Sequence, residues 1–308
     1  MTHLWGLFLL VFAVSGCTTV HGPDIKSHEL ETAKAELDLK AYKYHLKLSE
    51  RVDRIGYNLV RHVPDEYNLS KPRPFIGFFG VEPGFLSNRH FNHNPAHGVY
   101  LAYVLEDTPL AQAGLQAGDI LQKINDQDVD TEAQALRVIR ENGFEPLALE
   151  MRRGGHMFNV TVQPEALKVN VEFDVEPNAD INALTTPTKI TLQYGILNFI
   201  RTEEELAVIL AHELAHIVRR HTDSIPVIFM AGMLANKLTK DLERDADFYS
   251  LIFLKAAGYD PQQAVSFYER IAIQLPETRK GGLLYTHPGM TERSLRVRKA
   301  LEGNLPFK

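Results

Sequence analysis

The sequence predicts an α+β fold: a mostly helical C-terminal part with a small sheet, preceded by an inserted, strand-rich segment. Three patterns predict it. Apolar residues recur at helical spacing from Glu203 to Ile217, and a second helical run extends from about Thr239 to Ala257. Between Pro74 and Pro164 the elements shorten to strands, with a hairpin turn at Gly154-Gly155. Upstream, Leu37, Ala41, Tyr44, Leu48, Val52, Ile55 and Leu59 mark one face of a long amphipathic helix that ends before Pro64. The 308 residues leave room for two domains, and 44% hydrophobic against 23% charged residues is the balance of a folded globular chain. A net charge of -6 without a basic cluster offers no footprint for nucleic acid. The single cysteine, Cys17, rules out an intramolecular disulfide.

At the N-terminus, Leu4 to Val14 is apolar but too short to span a bilayer, which predicts a secretory signal over residues 1–16. Val14-Ser15-Gly16-Cys17 resembles the bacterial lipoprotein cleavage box, and the resemblance implies that Cys17 is the lipidated first residue of the mature protein. Thr18 rather than Asp after that cysteine implies, by the same resemblance, sorting to the outer membrane of a Gram-negative bacterium, with the folded part in the periplasm. Residues 17–73 then comprise a polar spacer and the amphipathic helix, which is expected to pack on the C-terminal domain across the insert.

The insert, residues 74–164, is read as strands at Phe75–Phe79 and Val99–Val104, further short elements through Ile124-Asn125, and a helix from about Thr131 to Glu141. Its Ala113-Gly114-Leu115-Gln116-Ala117-Gly118-Asp119 resembles the PDZ domains of bacterial proteases, which implies a β-rich, partly open barrel. By that resemblance Ile76, Gly77, Phe78 and Phe79 form a carboxylate-binding loop. Its free backbone N–H groups capture a peptide C-terminus while the adjoining edge strand accepts the chain. The loop from Val81 to Gly98 carries His90, His93 and His97. Without a cysteine or carboxylate nearby, an exposed polar loop outweighs a second metal site.

From residue 165 to 308 the chain opens with a half-buried strand at Val169–Val175 and an extended piece, Lys189–Gln193, expected to be the edge strand that holds a substrate backbone. Then comes Ile209-Leu210-Ala211-His212-Glu213-Leu214-Ala215-His216-Ile217. On a helix His212 and His216 are one turn apart on one face, so two imidazoles converge on one ion. Glu213 is rotated off that pair, within reach of a water beside the ion. Burying these three polar groups in so apolar a helix costs several kcal/mol unless they are paired or hold a metal. The third ligand is not a downstream histidine, because the positions three and six after His216 hold Arg219 and Thr222. Glu243 and Asp247, one turn apart on the next helix, supply a metal-binding carboxylate and an acceptor for a ligating imidazole's second N–H.

These motifs resemble the gluzincin family of the CAAX prenyl proteases and HtpX-like bacterial proteases, in a periplasmic lipoprotein branch with a PDZ insert. The resemblance rests on His212-Glu213-Leu214-Ala215-His216, on Glu243-Arg244-Asp245-Ala246-Asp247, on Thr286-His287-Pro288 with Arg293, and on Asn182-Ala183. It covers Lys168 to Leu301, and it implies a zinc endopeptidase with one Zn2+ per chain held by His212, His216 and Glu243, with Glu213 as general base. His287, beside Gly281-Gly282, is implied either to hydrogen-bond the oxyanion or to cover the metal in a resting form. Arg293 is expected to brace this segment through a carboxylate, and Ile225 to Leu234 to form a mobile helix or flap over the cleft. The implied substrates are misfolded or misassembled envelope proteins, met at a membrane to which the lipid anchor tethers the enzyme. The rival is a chaperone-like or scaffold lipoprotein that uses the PDZ domain and holds a structural zinc. Glu213 weighs against it, since a structural site needs no carboxylate beside its first histidine. The oligomeric state is left open.

Overall fold

A computed structural model describes residues 22–67, 71–95, 97–224, 235–279 and 288–303. The signal segment 1–16, Cys17, the 225–234 stretch, Gly281-Gly282, Thr286 and His287 lie outside the described residues. The chain divides into two units, residues 1–38 and 39–308. Helix α1, Ser27–Arg61, begins in the first, where Leu30 and Leu37 are exposed. In the second unit its stripe is buried at Leu48, Val52, Ile55 and Leu59. Tyr44, expected on the same face, is instead half-exposed, and its hydroxyl donates to Asn198. Gly56 lets α1 lie close on the sheet below, since a Cβ there would meet the Phe173 ring at 2.5 Å.

The insert contains β1 (Arg73–Phe75), β2 (Gly80–Val81), α2 (Phe85–Phe91), β3 (Val99–Leu101), α3 (Pro109–Gln112), β4 (Ile120–Ile124) and β5 (Gln127–Asp128). It continues with α4 (Glu132–Asn142), β6 (Leu147–Arg153), β7 (His156–Val162) and β8 (Glu165–Leu167). One sheet runs β2-β3-β4-β6-β7 with β5 on β4, while β1 pairs separately with β8. Thr131 caps α4 in a reciprocal box with Gln134, which fixes the helix start.

Two expected strands are shorter than the sequence implied. The first ends at Phe75, because Gly77 takes a φ of 83° that turns the chain, with no room for a Cβ against Thr108. The second ends at Leu101, after which the Ala102 N–H donates to the Phe79 carbonyl at 2.8 Å. The histidine loop is not purely loop. It contains α2, and His93 Nε2 lies 2.7 Å from an Arg152 nitrogen.

The C-terminal part holds β9 (Glu172–Glu176), β10 (Ala183–Thr186), β11 (Lys189–Gln193), α5 (Tyr194–Phe199), α6 (Glu203–Val218), α7 (Ala235–Ala256), α8 (Gln262–Gln274) and α9 (Met290–Glu302). Its sheet has the order β10-β11-β9. Lys189–Gln193 is therefore the central strand, not the edge: it pairs antiparallel with β10 and parallel with β9, and both of its backbone edges are spent. The free edge beside α6 is β10. Among the described residues no helix is long and apolar enough to cross a membrane.

One apolar core joins the buried half of α1 to α6, α7 and α8 and takes in Phe75 and Tyr103 from the insert. A second fills the insert itself around Leu101, Leu121, Val138 and Met151. At the seam between them Tyr103 donates its hydroxyl hydrogen bond to the buried carboxyl of Asp53 on α1. Burial raises the Asp53 pKa well above the usual carboxylate range, against the opposing pull of the Tyr103 hydrogen bond. A raised carboxyl favours the protonated folded state. This contribution is complete below the unfolded-state pKa and is lost as pH climbs toward the folded one. Asp53→Asn is therefore expected to raise the melting temperature relative to wild type by more at pH 8 than at pH 5. Calorimetry checks it, and an equal shift at both values would contradict it.

Candidate metal centre

Helix α6 begins where the Thr202 hydroxyl accepts the Glu205 N–H, with three glutamates in the first turn facing the positive end of the helix dipole. Glu205 in turn holds Arg270 of α8 through two hydrogen bonds, 2.5 and 2.8 Å, so α6 is anchored at its N-terminus. Its apolar residues Leu206, Leu210 and Leu214 are fully buried, which points His212 and His216 at α7.

There the two imidazoles meet Glu243. The Nε2 atoms of His212 and His216 lie 3.2 Å apart. Glu243 Oε2 is 3.3 Å from the His212 nitrogen and Oε1 is 3.5 Å from that of His216. Among the described residues these three are the group of metal-ligating type whose donor atoms converge. The spacing fits zinc, because tetrahedral bonds of about 2.0–2.1 Å set ligand atoms about 3.3–3.4 Å apart. The donor chemistry fits as well: two nitrogens and one carboxylate oxygen make three protein ligands and leave a fourth position open. His212, His216 and Glu243 are thus able to hold the ion.

Behind the triangle stands a fully buried polar layer. Asp247 Oδ1 lies 3.1 Å from His212 Nδ1, where the carboxylate accepts the hydrogen bond of a protonated Nδ1; an Arg293 nitrogen lies at the same distance from that ring atom, and His212 Nε2 faces Glu243. Arg293 of α9 donates to both Asp247 oxygens, at 2.5 to 3.1 Å, and the Tyr268 hydroxyl of α8 adds a further bond at 2.9 Å. Although burial pushes its pKa upward, Arg293 and His212 hold Asp247 well below the usual carboxylate range. Burial and Arg293 depress His212, yet Asp247 and Glu243 outweigh them and lift it to about 9. The field of this layer asks for positive charge at the imidazoles, which a divalent cation supplies as well as a proton does.

Glu213 stands on the cleft side of the helix, and its Oε2 accepts the Thr185 hydroxyl of β10 at 2.6 Å. The cleft, about 520 Å³, is lined by His212, His216, Glu243 and Glu213, by Ala183 and Thr185, and by apolar side chains including Ile196, Phe199, Val208 and Ile271. Three contributors escaped the sequence. His221 Nδ1 lies 3.1 Å from His216 Nδ1, and its Nε2 is 3.0 Å from Asp245, which is also held by Arg219. Thr185 and Tyr268 are the others. The His221 relay carried a faint signal, a histidine five residues after His216 with an acidic residue two after Glu243.

The four loop residues Ile76, Gly77, Phe78 and Phe79 lie elsewhere, on the wall of a separate cavity of about 420 Å³. Ile76 and Phe78 are buried in the insert's own core, whereas Phe79 stacks on Tyr103 at 4.9 Å. Leu136 and Ile139 of α4 face the loop across that cavity, and so do Tyr42, Ser49 and Asp53 of α1, which the sequence did not place there. Among the described residues none accepts from the Gly77, Phe78 or Phe79 N–H. The next donor, Gly80 N–H, is taken by Glu132 at 2.9 Å.

Comparison with known proteins agrees with this division. Residues 159–225 and 222–301 match peptidase family M48, and residues 100–153 match the PDZ domain. The chain is 26% identical over 158 residues to the mitochondrial metalloendopeptidase OMA1 of Saccharomyces cerevisiae, covering 42% of this chain and 46% of that protein. It is 24% identical over 159 residues to the beta-barrel assembly-enhancing protease of Yersinia pestis, covering 40% and 33%. Over 70 residues it is 34% identical to the regulator of sigma-E protease RseP of Salmonella typhimurium, covering 23% and 16%. The chain spans less than half the length of each of these relatives.

Replacing Arg293 by Met leaves Asp247 a buried charge without its cation. Loss of about 3–5 kcal/mol of unfolding free energy is expected in denaturant titration. A loss below about 1 kcal/mol would show that the layer does not depend on the pair.

Proposed function

We propose that this chain, whose residues 159–301 carry the match to peptidase family M48, is a zinc-dependent endopeptidase of the bacterial cell envelope. The observation that carries the proposal is the triangle of His212, His216 and Glu243, with Glu213 beside it on the cleft. Zinc held there supplies Lewis acidity to polarise a scissile carbonyl and bring the pKa of a water toward neutrality. Glu213 takes that water's proton through its second oxygen and returns it to the leaving amine. An extended substrate chain adds to the free edge of β10, which lies against α6 and runs along the cleft. Asp247 keeps His212 in the tautomer that offers Nε2. His287 acts on the oxyanion or covers the metal at rest. Its support is the Thr286-His287-Pro288 motif.

The domains follow the same proposal: a lipoprotein signal over 1–16, spacer and helix over 17–73, a PDZ domain over 74–164 and the peptidase over 165–308. The PDZ match at 100–153 and the separate core of the insert support the third. The open loop amides of Gly77, Phe78 and Phe79 beside their cavity support capture of a peptide C-terminus by Ile76–Phe79, and the partly open barrel goes with it. Lipidation at Cys17 and a place at the outer membrane, facing the periplasm, rest on the cleavage box and on Thr18. Substrates are unfolded or misassembled envelope proteins, since only an extended chain lies along a strand edge. The similarity to a protein named for β-barrel assembly supports that compartment.

The test is Glu213→Gln. Cleavage of an unfolded protein such as β-casein is expected to fall at least about 100-fold, with one zinc per chain and the melting temperature retained. Undiminished cleavage would refute the proposal. The same variant is expected to co-purify with uncleaved envelope proteins.

A further inference from the structure

Thr185 of β10 is the group to which Glu213 is tied. Its hydroxyl hydrogen lies between Thr185 Oγ1 and Glu213 Oε2, 2.6 Å apart, and a carboxylate only accepts, so threonine is the donor. Among the described residues no other hydrogen bond reaches the Glu213 carboxylate, and Glu213 lines the cleft. Position 185 is set by the sheet: β10 pairs with β11 in the register Thr185 to Ile190. Alternation then turns Ala183 and Thr185 toward α6 while Leu184 and Thr186 are exposed. The same residue thus stands on the strand whose free edge runs along the cleft and on the carboxylate beside the metal-ligating triad.

We infer that Thr185 is a positioning residue for the general base: its hydroxyl fixes the rotation of the Glu213 carboxylate and keeps Oε1 aimed at the hydrolytic water. The inference rests on Glu213 being that base. A glutamate's terminal torsion is broad and nearly two-fold, so an untied carboxylate samples orientations in which proton transfer is misaligned. One donor on a rigid strand removes that freedom. Because β10 also offers the free edge for substrate, the alignment of base and substrate backbone is referred to one element. Binding of substrate along the edge uses backbone groups of β10, not the Thr185 hydroxyl, so losing the hydroxyl affects the chemical step and spares binding.

The experiment uses the zinc-loaded full chain in four forms: wild type, Thr185→Val, Thr185→Ser and Glu213→Gln. Valine keeps the branched shape suited to the strand and removes only the donor, whereas serine keeps the donor. With fluorescein-labelled β-casein, Thr185→Val is expected to lower kcat about 10- to 100-fold at near-constant KM, with Thr185→Ser within about threefold of wild type. Full kcat in the valine variant, or a serine variant as impaired as valine, overturns the inference. So does a rise in KM that accounts for the whole loss. A crystal structure of Thr185→Val supplies a readout apart from activity. The Glu213 carboxylate is expected to rotate or occupy more than one orientation, and a single unchanged orientation also overturns it. Glu213→Gln separates the two levels. If it cleaves normally, the assignment of the base itself fails; if it is inactive while Thr185→Val is fully active, only the role of Thr185 fails.

Discussion

Everything in the C-terminal part depends on one buried charge pair, Arg293 with Asp247. Each is at most 6% exposed, and neither ion is tolerable there without the other. The pair brings together three helices, since Asp247 lies on α7, Arg293 on α9 and Tyr268, bonded to both, on α8. Asp247 Oδ1, which Arg293 and Tyr268 also bond, lies 3.1 Å from His212 on α6. A four-helix junction is thus organised around a carboxylate whose remaining task is to orient one imidazole. The guanidinium offsets the cost of burying that carboxylate beside an imidazole.

Through Asp247 the pair also backs one corner of the triangle of His212, His216 and Glu243. The three donor atoms lie within 3.5 Å of one another. Arg293 is shared among Asp247, the Tyr268 hydroxyl and His212 Nδ1. His216 has its own support on the far side, where His221, Asp245 and Arg219 form a chain that reaches the surface. The two imidazoles are therefore each backed by a carboxylate, directly for His212 and through a second ring for His216. The insert is tied to this assembly through aromatic stacking: Phe79 and Tyr103 meet Tyr57 and Asp53 of α1, and α1 packs on β9 across Gly56.

Local periodicity made much of this legible. The i, i+4 spacing of His212 and His216, and of Glu243 and Asp247, needs only a helix to place each pair on one face. The start of α4 followed from Thr131, which is the observed cap. What stayed hidden was set by register between distant segments. That Lys189–Gln193 is central and Ala183–Thr186 the edge depends on β9 joining in parallel, which no alternation in sequence announces. Thr185 meets Glu213 only because of that order. Gly77 ended a strand that its apolar neighbours promised, because a positive φ there accommodates Thr108. His221 was faint for a different reason, since a lone histidine past a helix end has no period to mark its partner.

The central claim is that two imidazoles and one carboxylate enclose a zinc ion with a position to spare. X-ray absorption at the zinc edge of the purified full chain tests it most directly. One zinc per chain is expected, with at least two imidazoles and a carboxylate oxygen at about 2.0–2.2 Å in a shell of nitrogen and oxygen only. Zinc absent, or bound through sulfur or without imidazole scattering, would contradict it.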